Sequence, residues 1–214
     1  MYPGWSAVTM DRKQHWEHVF AAKGEHDVSW FEALPAISLR MMEAAGLGPE
    51  TCVLDVGGGD SRVVDALVSR GLDCIAVLDI SHTALDRAKA RLGNAASALM
   101  WIEADIASAW ALKPMDIWHD RAVFHFLTDA GDRDRYRQHL KSTLKPAGTV
   151  IVATFAPDGP KTCSGLPVMR YSAEALSQEL GDEFALVETV PHIHLTPWGT
   201  SQSFQYSRFT KVRN

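Results

Sequence analysis

The sequence has no uninterrupted run of about 18 apolar residues and no dense cluster of lysine and arginine. The first absence predicts that no segment spans a membrane, and the N-terminus also lacks the charged start and apolar core of a signal peptide. Because nucleic-acid binding needs a concentrated basic face, the missing basic cluster and the net charge of -5 argue against a nucleic-acid partner. We therefore expect a cytoplasmic protein without a membrane or nucleic-acid partner.

Cysteine is scarce, and the three residues present, Cys52, Cys74 and Cys163, are odd in number and widely spaced. This pattern favours free thiols in a reducing compartment over a disulfide framework. The chain also lacks internal repeats, low-complexity tracts and a clear linker, so its 214 residues predict one domain with a possible added lid.

The most informative stretch is Val53–Ser61, an apolar run that ends in Asp55 and continues into Gly57, Gly58 and Gly59. It is typical of a buried strand that leads into a ligand-binding loop, because glycine allows positive φ and close approach of the backbone. A helix predicted over 62–70 would place its free N–H groups beside that loop. The pattern therefore predicts a ligand with an anionic end.

From residue 53 onward, predicted strands and helices alternate, which indicates a parallel sheet covered on both faces. The predicted strands are 53–56, 74–78, 99–102, 115–119 and 149–155, and the predicted helices are 62–70, 82–92, 132–144 and 173–180. Two further strands, 184–190 and 203–212, have no helix between them and should be antiparallel neighbours. Helices over 9–23 and 37–45 precede the sheet, and we expect residues 1–48 to form a helical lid on a domain of residues 49–214.

Acidic residues follow four successive strands at Asp55, Asp79, Asp105 and Asp120. A dinucleotide would place its pyrophosphate on the glycines and its ribose on Asp79. However, Arg62 occupies the position where that pattern needs its last glycine, and the chain is short for a separate substrate domain. An NAD-dependent oxidoreductase is therefore an alternative and not the main hypothesis.

The same residues resemble four motifs of class I S-adenosylmethionine-dependent methyltransferases, in order and at similar spacing. They are Val53–Ser61, the run Leu78-Asp79-Ile80-Ser81, the run Glu103-Ala104-Asp105-Ile106, and residues 116–127. The resemblance covers roughly residues 50–212 and implies a Rossmann-like α/β fold with seven strands, mostly parallel with an antiparallel last strand and helices on both faces. Its implied cofactor is S-adenosyl-L-methionine.

The resemblance also implies roles for individual residues. Asp79 would accept both ribose hydroxyls, Asp105 would accept the adenine amino group, and Asp55 would act on the ammonium group. The other implied cofactor contacts are Gly57, Gly58, Gly59, Ile80, Ile106 and Asp120. Candidate catalytic residues lie just past the fourth strand at His119, Asp120 and His125, where histidine is an acceptable general base near neutral pH.

Trp16 and the Ser29-Trp30-Phe31 segment further resemble the methyltransferase-like group that includes citrate synthase lysine methyltransferase. That group carries an Asp-Lys-Gly-Thr type motif after the fourth strand, whereas Arg121-Ala122-Val123 follow Asp120 here. The departure puts specificity for lysine in doubt, and a small-molecule or a protein acceptor both stay open. A nucleoside-binding module without catalysis is the alternative from another functional class.

Two long loops, 157–171 and 191–202, are predicted to line the acceptor pocket. The substrate candidates are Trp30, Arg121, Cys163, Arg170, Tyr171 and His194. Cys163 with His192 and His194 could also bind a soft metal, but we expect no metal site. The sequence leaves the acceptor, the oligomeric state and the rate-limiting step undetermined.

Overall fold

The structure, a computed structural model, describes residues 11–213 and contains a seven-stranded sheet with helices around it. The helices are α1 (Arg12–Ala22), α2 (Ala36–Ala44), α3 (Val63–Ser69), α4 (His82–Leu92), α5 (Ala130–Thr143) and α6 (Ala173–Leu180). The strands are β1 (Val53–Val56), β2 (Ile75–Asp79), β3 (Met100–Glu103), β4 (Met115–Arg121), β5 (Leu144–Phe155), β6 (Thr162–Cys163), β7 (Leu166–Pro167), β8 (Phe184–Leu195) and β9 (Ser201–Lys211). The predicted start of the first helix, Thr9, lies outside the described residues.

The strand order is β3-β2-β1-β4-β5-β9-β8. Strands β1 to β5 pair in parallel, whereas β9 pairs antiparallel with β5 and β8. The predicted fold class, with its reversed last strand, is confirmed. The order reverses at β1 and β4, and in open α/β sheets such a switch point is where ligands bind.

Two hydrophobic cores lie on opposite faces of the sheet. Val53 of β1 packs with α2 and α3, while its neighbour Leu54 packs with α5 and α6. The same alternation in β4 sends Ile117 to the first face and Trp118 to the second. The central strands thus bury apolar side chains on both faces, which explains the adjacent apolar pairs Val53-Leu54 and Ile117-Trp118.

Two details differ from the predicted elements. Strand β8 continues to Leu195, although the sequence predicted its end at Val190 and a loop from Pro191. The predicted loop 157–171 contains the short hairpin of β6 and β7. Proline fits in β8 because this strand is at the edge of the sheet, where a missing N–H removes no ladder hydrogen bond on the open side.

The prediction of three free thiols is wrong for two of them, because Cys52 and Cys74 form a disulfide. Cys52 immediately precedes β1 and Cys74 immediately precedes β2, so parallel pairing brings the two residues together at the start of adjacent strands. Cys163 is free and buried. The cytoplasmic location, which rested partly on the free thiols, stays a prediction.

Across residues 11–213, each helix is either too short or too polar to cross a bilayer.

Candidate active site

A cleft opens at the carboxyl ends of β1 to β5, and its empty space, including the part open to solvent, is about 840 Å³. One part of its wall comes from the ends of β1, β2 and β3. The rest comes from α1, the segment before α2, the ends of β4 and β5, strand β6 and the start of β9. The first part is formed by Gly57, Leu78, Asp79, Ile80, Ala104, Asp105 and Ile106. Its position at the carboxyl ends of the strands is the one expected of a small-molecule site in an open α/β sheet.

The three glycines of the loop have different neighbours: one lines the cavity, and the other two lie against aspartate carboxylates. Gly57 lines the cavity at φ +65°, and a Cβ there would lie 2.0 Å from Cγ2 of Val123. A Cβ on Gly58 would lie 2.4 Å from Oδ2 of Asp55, and one on Gly59 would lie 2.5 Å from Oδ2 of Asp79. The expectation that all three glycines admit the ligand therefore needs correction, because Gly58 and Gly59 make room for protein carboxylates.

Asp79 is the acid that the structure brings most directly to the cavity. The N–H of Gly59 donates to its Oδ2 at 3.0 Å, and the N–H of Ser81 donates to its Oδ1 at 2.9 Å. Burial raises the pKa of Asp79 to about 7, although these N–H donors act in the opposite direction. Each carboxylate oxygen keeps a lone pair that a hydroxyl donor could use.

Asp105 lines the same part of the cavity, together with Ile80 and Ile106. The N–H of Ala107 donates to Oδ1 of Asp105 at 2.8 Å, and Nη2 of Arg12 lies 3.1 Å from Oδ2. The carboxylate is thus fixed by its own turn and by helix α1.

Asp55 and His119 form a buried pair on the face of the sheet covered by α2. Nδ1 of His119 lies 2.6 Å from Oδ1 of Asp55, and Nε2 lies 2.9 Å from Oγ of Ser38 in α2. Both residues are about 1% exposed and line a smaller adjoining cavity instead of the main one. Oδ1 of Asp55 is bonded to His119, whereas its Oδ2 has no hydrogen-bond partner among the described residues. The roles of Asp55 on the ligand ammonium and of His119 in catalysis stay predictions.

Asp120 points to the opposite face and is fully buried. Its carboxylate accepts hydrogen bonds from the N–H groups of Val123 and Phe124 and from the hydroxyl of Tyr136 at 2.9 Å. Burial raises its pKa to about 6. Asp120 does not line the cavity, and its visible role is to hold the turn after β4. Its predicted contact with cofactor and substrate stays a prediction.

His125 is also fully buried behind the cavity wall. Its Nδ1 accepts the N–H of Phe155 at 3.3 Å, and its Nε2 has no partner among the described residues. Burial, with help from the Arg121 charge, lowers the pKa of His125 to about 3. The buried imidazole does not line the cavity, so this geometry gives no support to His125 as a general base, and that role stays a prediction.

Arg121 lines the cavity, but its guanidinium is committed to the protein. Nε donates to the hydroxyl of Tyr206 at 2.9 Å and Nη1 donates to the carbonyl of Trp30 at 2.8 Å. Nη2 forms an ion pair with Glu32 at 2.9 Å, although the angle there is not that of a hydrogen bond. Arg121 thus connects β4 to β9 and to the segment before α2.

The remaining substrate candidates divide into two groups. Trp30 and Cys163 line the cavity. Arg170 donates to the carbonyl of Pro157 at 2.6 Å, and Tyr171 packs against Phe124 with ring centroids 5.5 Å apart. These two contacts hold loop 157–171 in place, and the structure does not bring either residue to the cavity.

His194 belongs to a polar cluster beside the cavity. Its Nε2 lies 2.7 Å from the carbonyl of Ser29, and its Nδ1 lies 3.4 Å from Oε1 of Glu32. Nε2 of His192 approaches the same oxygen at 3.9 Å, so the two histidines group with Glu32. Because the Arg121 guanidinium already neutralises Glu32, a divalent cation would meet a fixed positive charge at this place.

The sequence analysis missed most of the aromatic wall. The cavity-lining residues that it did not propose as ligand contacts include Trp16, Phe20, Phe126, Phe155, Gln202 and Phe204. Apolar residues of an amphipathic helix or of a buried strand have the same pattern whether they line a cavity or fill a core. Only the tertiary arrangement separates the two cases.

Residues 53–148 match the model of a family described as a methyltransferase domain. A search of curated protein sequences finds no match to the chain. The prediction of a methyltransferase is confirmed at the level of this domain, while the finer resemblance to the citrate synthase lysine methyltransferase group stays a prediction.

Solved structures share the whole fold at low sequence identity. N-methyltransferase NodS from Bradyrhizobium japonicum, in complex with S-adenosyl-L-homocysteine, aligns with a TM-score of 0.70 at 16% identity over 94% of this chain and 99% of its own. The 1,6-didemethyltoxoflavin-N1-methyltransferase of Burkholderia thailandensis has 1,6-didemethyltoxoflavin and S-adenosylhomocysteine bound. It aligns with a TM-score of 0.66 at 16% identity over 83% of this chain and 77% of its own. A structure from Haloferax volcanii contains the Trm112 methyltransferase activator in complex with a putative methyltransferase. It aligns with a TM-score of 0.72 at 15% identity over 95% of this chain and 99% of its own. These likenesses establish the fold.

Proposed function

We propose that this chain, whose residues 53–148 form a methyltransferase domain, transfers a methyl group from S-adenosyl-L-methionine to a nucleophilic atom of a small molecule. The observation that carries the proposal is the position of Asp79 in the cavity wall at the end of β2, where both of its oxygens are held by backbone N–H groups. A carboxylate fixed in this way suits a diol such as the ribose of the cofactor.

The neighbouring residues fit the rest of that cofactor. The absence of a Cβ at Gly57 keeps the loop close to Val123 and leaves backbone at the cavity surface. Ile80 and Ile106 give apolar walls on either side of a flat base, and Asp105 offers an acceptor beside them. Two of the similar solved structures contain S-adenosylhomocysteine, which supports the same cofactor here.

When bound, the cofactor supplies a methyl group on a sulfonium, whose C–S bond breaks as the acceptor lone pair forms its bond to carbon and the acceptor proton leaves to water. The residues of this chain bind and orient the two reactants in that process. Trp16, Trp30 and Phe126 line the cavity with aromatic rings. Such rings attract a cation through their quadrupole and exclude water from it.

Asp120, His119 and His125 act in this proposal as positioning residues. Each is buried and bonded to protein groups, and each supports a segment that carries cavity-lining residues. Asp120 holds the turn with Ala122 and Val123, and His125 bonds to the N–H of Phe155.

In the proposal, the chain divides into a helical lid of residues 1–48 and a cofactor-binding domain of residues 49–214. Helix α1 belongs to the lid. Its Arg12, Trp16 and Phe20 form part of the cavity wall, and Arg12 pairs with Asp105. The resemblance to the citrate synthase lysine methyltransferase group makes a protein lysine the alternative acceptor. A concave pocket with an aromatic wall supports a small molecule more directly.

Calorimetric titration with S-adenosylhomocysteine, and with NAD in parallel, tests the cofactor. We expect micromolar binding of the first and none of the second. The Asp79→Ala variant should lose at least tenfold in affinity, since it removes hydrogen bonds to a charged group worth on the order of 2 kcal/mol. Asp73→Ala, at an exposed acid just before β2, is the matched control and should bind normally.

Unchanged affinity in Asp79→Ala would refute the cofactor assignment, and binding of NAD alone would favour an oxidoreductase. Normal cofactor affinity without methyl transfer to any acceptor in a broad screen would favour a nucleoside-binding module.

A further inference from the structure

Helix α1 contacts the first turn of α4 through the side chain of Glu17. Its Oε1 accepts the N–H of His82, and its Oε2 accepts the N–H of Thr83 at 3.3 Å and the hydroxyl of Ser81 at 3.1 Å. The two N–H groups begin a helix and therefore have no partner within it. A carboxylate also suits this place because the N-terminus of a helix is electropositive. Glu17 thus completes the cap of α4 from another element.

These contacts favour the ionised form of Glu17. Burial acts to raise the pKa of its carboxyl, but the hydrogen bonds from Thr83, His82 and Ser81 outweigh burial and hold the pKa below its usual value. The side chain is therefore a carboxylate near neutral pH, and both of its oxygens are used by the start of α4.

Ser81 connects this cap to the part of the cavity wall at the end of β2. Its N–H donates to Oδ1 of Asp79 at 2.9 Å. Its hydroxyl donates to Glu17 and accepts the N–H of Ala84 at 3.2 Å. Ser81 is fully buried, so both of its polar groups depend on protein partners. The position of one oxygen of Asp79 is thereby linked to the position of Glu17.

Helix α1 is also held in place by contacts that do not involve Glu17. Arg12 pairs with Asp105 at 3.1 Å, and Lys13 pairs with Glu103. A variant at residue 17 should therefore leave the helix, with its aromatic residues, beside the cavity. Glu17 itself does not line the cavity.

We propose, on the basis of the proposed function, that Glu17 is a positioning residue for cofactor binding, which acts through Ser81 on the Asp79 carboxylate. By bonding to the first turn of α4, Glu17 fixes the N–H of Ser81 that orients Oδ1 of Asp79 toward the ribose hydroxyls. An effect confined to the ribose diol distinguishes this role from a general contribution to the fold or to the docking of α1.

Two ligands that differ only in the diol test the proposal on the full chain: S-adenosylhomocysteine and its 2′,3′-dideoxy analogue. Binding is followed by calorimetry at about pH 8, where Asp79 with its pKa of about 7 is ionised. The unmodified chain should bind S-adenosylhomocysteine at least about tenfold more tightly than the analogue. Glu17→Gln keeps the shape of the side chain but loses the charge and one acceptor oxygen. It should bind S-adenosylhomocysteine about fivefold more weakly and the analogue with unchanged affinity.

Glu43→Gln on α2 is the matched control. It removes the same charge from an exposed glutamate that pairs with Arg70, and neither of these residues lines the cavity. This control should keep the full preference for the diol. Glu17→Asp, which moves the carboxylate away from α4 by shortening the side chain, replaces the glutamine variant if circular dichroism shows that variant to be unfolded. It should show the same fall in preference.

An unchanged preference for the diol in Glu17→Gln would overturn the proposal, as would equal weakening of both ligands. Either result leaves the proposed function intact. Absence of any preference in the unmodified chain would refute the assignment of Asp79 that carries the proposed function, and absence of S-adenosylhomocysteine binding would refute that function itself.

Discussion

Tyr136 donates its hydroxyl hydrogen to Oδ2 of Asp120 over 2.9 Å, and neither side chain is exposed to solvent. The same hydroxyl accepts the Nε1–H of Trp118 at 2.8 Å. Helix α5 is thereby connected to β4 and to the turn that follows it. The Asp120 carboxylate, which the sequence suggested for catalysis, thus takes part in contacts that hold the fold together.

Replacement of Asp120 should therefore act mainly on stability. An amide cannot accept from the N–H groups and from the tyrosine as a carboxylate does, so Asp120→Asn should lower the free energy of unfolding by about 2 kcal/mol. Tyr136→Phe, which removes one hydrogen bond, should cost about 1 kcal/mol. Urea denaturation measures both. A large loss of turnover in Asp120→Asn with unchanged stability would return this residue to catalysis.

The pair of Asp55 and His119 leads to a similar expectation on the other face. His119→Leu leaves the Asp55 carboxylate buried without its partner, and we expect a loss of about 3 kcal/mol in the free energy of unfolding. Ser38→Ala removes only the hydrogen bond to Nε2 and should cost about 1 kcal/mol. Equal effects of the two substitutions in urea denaturation would contradict a dominant role for the pair.

Cofactor affinity should depend on pH through Asp79. Its pKa of about 7 means that the carboxylate is ionised above that pH and protonated below it. Since the ionised form accepts both ribose hydroxyls, affinity for S-adenosylhomocysteine should fall about tenfold as the pH decreases from about 8 to about 6. Asp79→Asn should bind weakly with no such dependence. Calorimetry across this range checks both, and a flat profile in the unmodified chain would contradict the expectation.

His125 should make the stability of the fold depend on pH in the range between about 3 and 6.5. Its pKa falls from 6.5 in the unfolded chain to about 3 in the folded one, so the unfolded state binds the additional proton between these values. The contribution of neutral His125 is thus complete above pH 6.5 and is lost as the pH falls toward 3. As the pH is lowered through this interval, the free energy of unfolding of His125→Phe should increase relative to that of the unmodified chain. The increase should be up to about 1.4 kcal/mol for each pH unit.

Chemical denaturation at several pH values measures this difference. His18→Phe, at an exposed position of α1, is the matched control and should run parallel to the unmodified chain. A parallel curve for His125→Phe would show that the imidazole is not kept neutral by burial.

The glycine loop gives a prediction about affinity. A Cβ at Gly59 would lie 2.5 Å from Oδ2 of Asp79 and 2.6 Å from Cβ of Ala84. Gly59→Ala should displace the carboxylate and weaken S-adenosylhomocysteine binding about tenfold or more. At Gly48 a Cβ would lie 3.9 Å from its nearest neighbour, the carbonyl oxygen of Gly46, so Gly48→Ala should leave affinity unchanged. Equal dissociation constants for the two variants would contradict this role of Gly59.

Local motifs allowed the part of the cavity wall at the ends of β1 to β3 to be predicted from sequence. β1, α4 and α6 have the bounds that their patterns indicate, and Asp79, Ile80, Asp105 and Ile106 line the cavity as expected. Each of these assignments depends on residues that are close together in the chain. Strand ends in a parallel sheet then bring them to one edge.

The aromatic part of the cavity wall could not be predicted in the same way, because its residues are distant in sequence. Trp30, Phe155 and Gln202 meet only after the sheet has formed. At Asp120, the position at a strand end did not predict which face of the sheet the side chain occupies. Alternation along β4 sends Asp120 toward Tyr136 and sends its neighbour Arg121 to the cavity side.

Helix α1 carries residues of the cavity wall, and its Arg12 bridges Asp105 and Asp132. A bound molecule that contacts Trp16 cannot gain full solvent exposure while this helix stays docked. We therefore expect exchange of ligands to be governed by the lifetime of the docked helix, so that a variant such as Arg12→Ala would bind and release S-adenosylhomocysteine faster. Stopped-flow fluorescence would register the change as higher association and dissociation rate constants, a kinetic consequence of one ionic bridge.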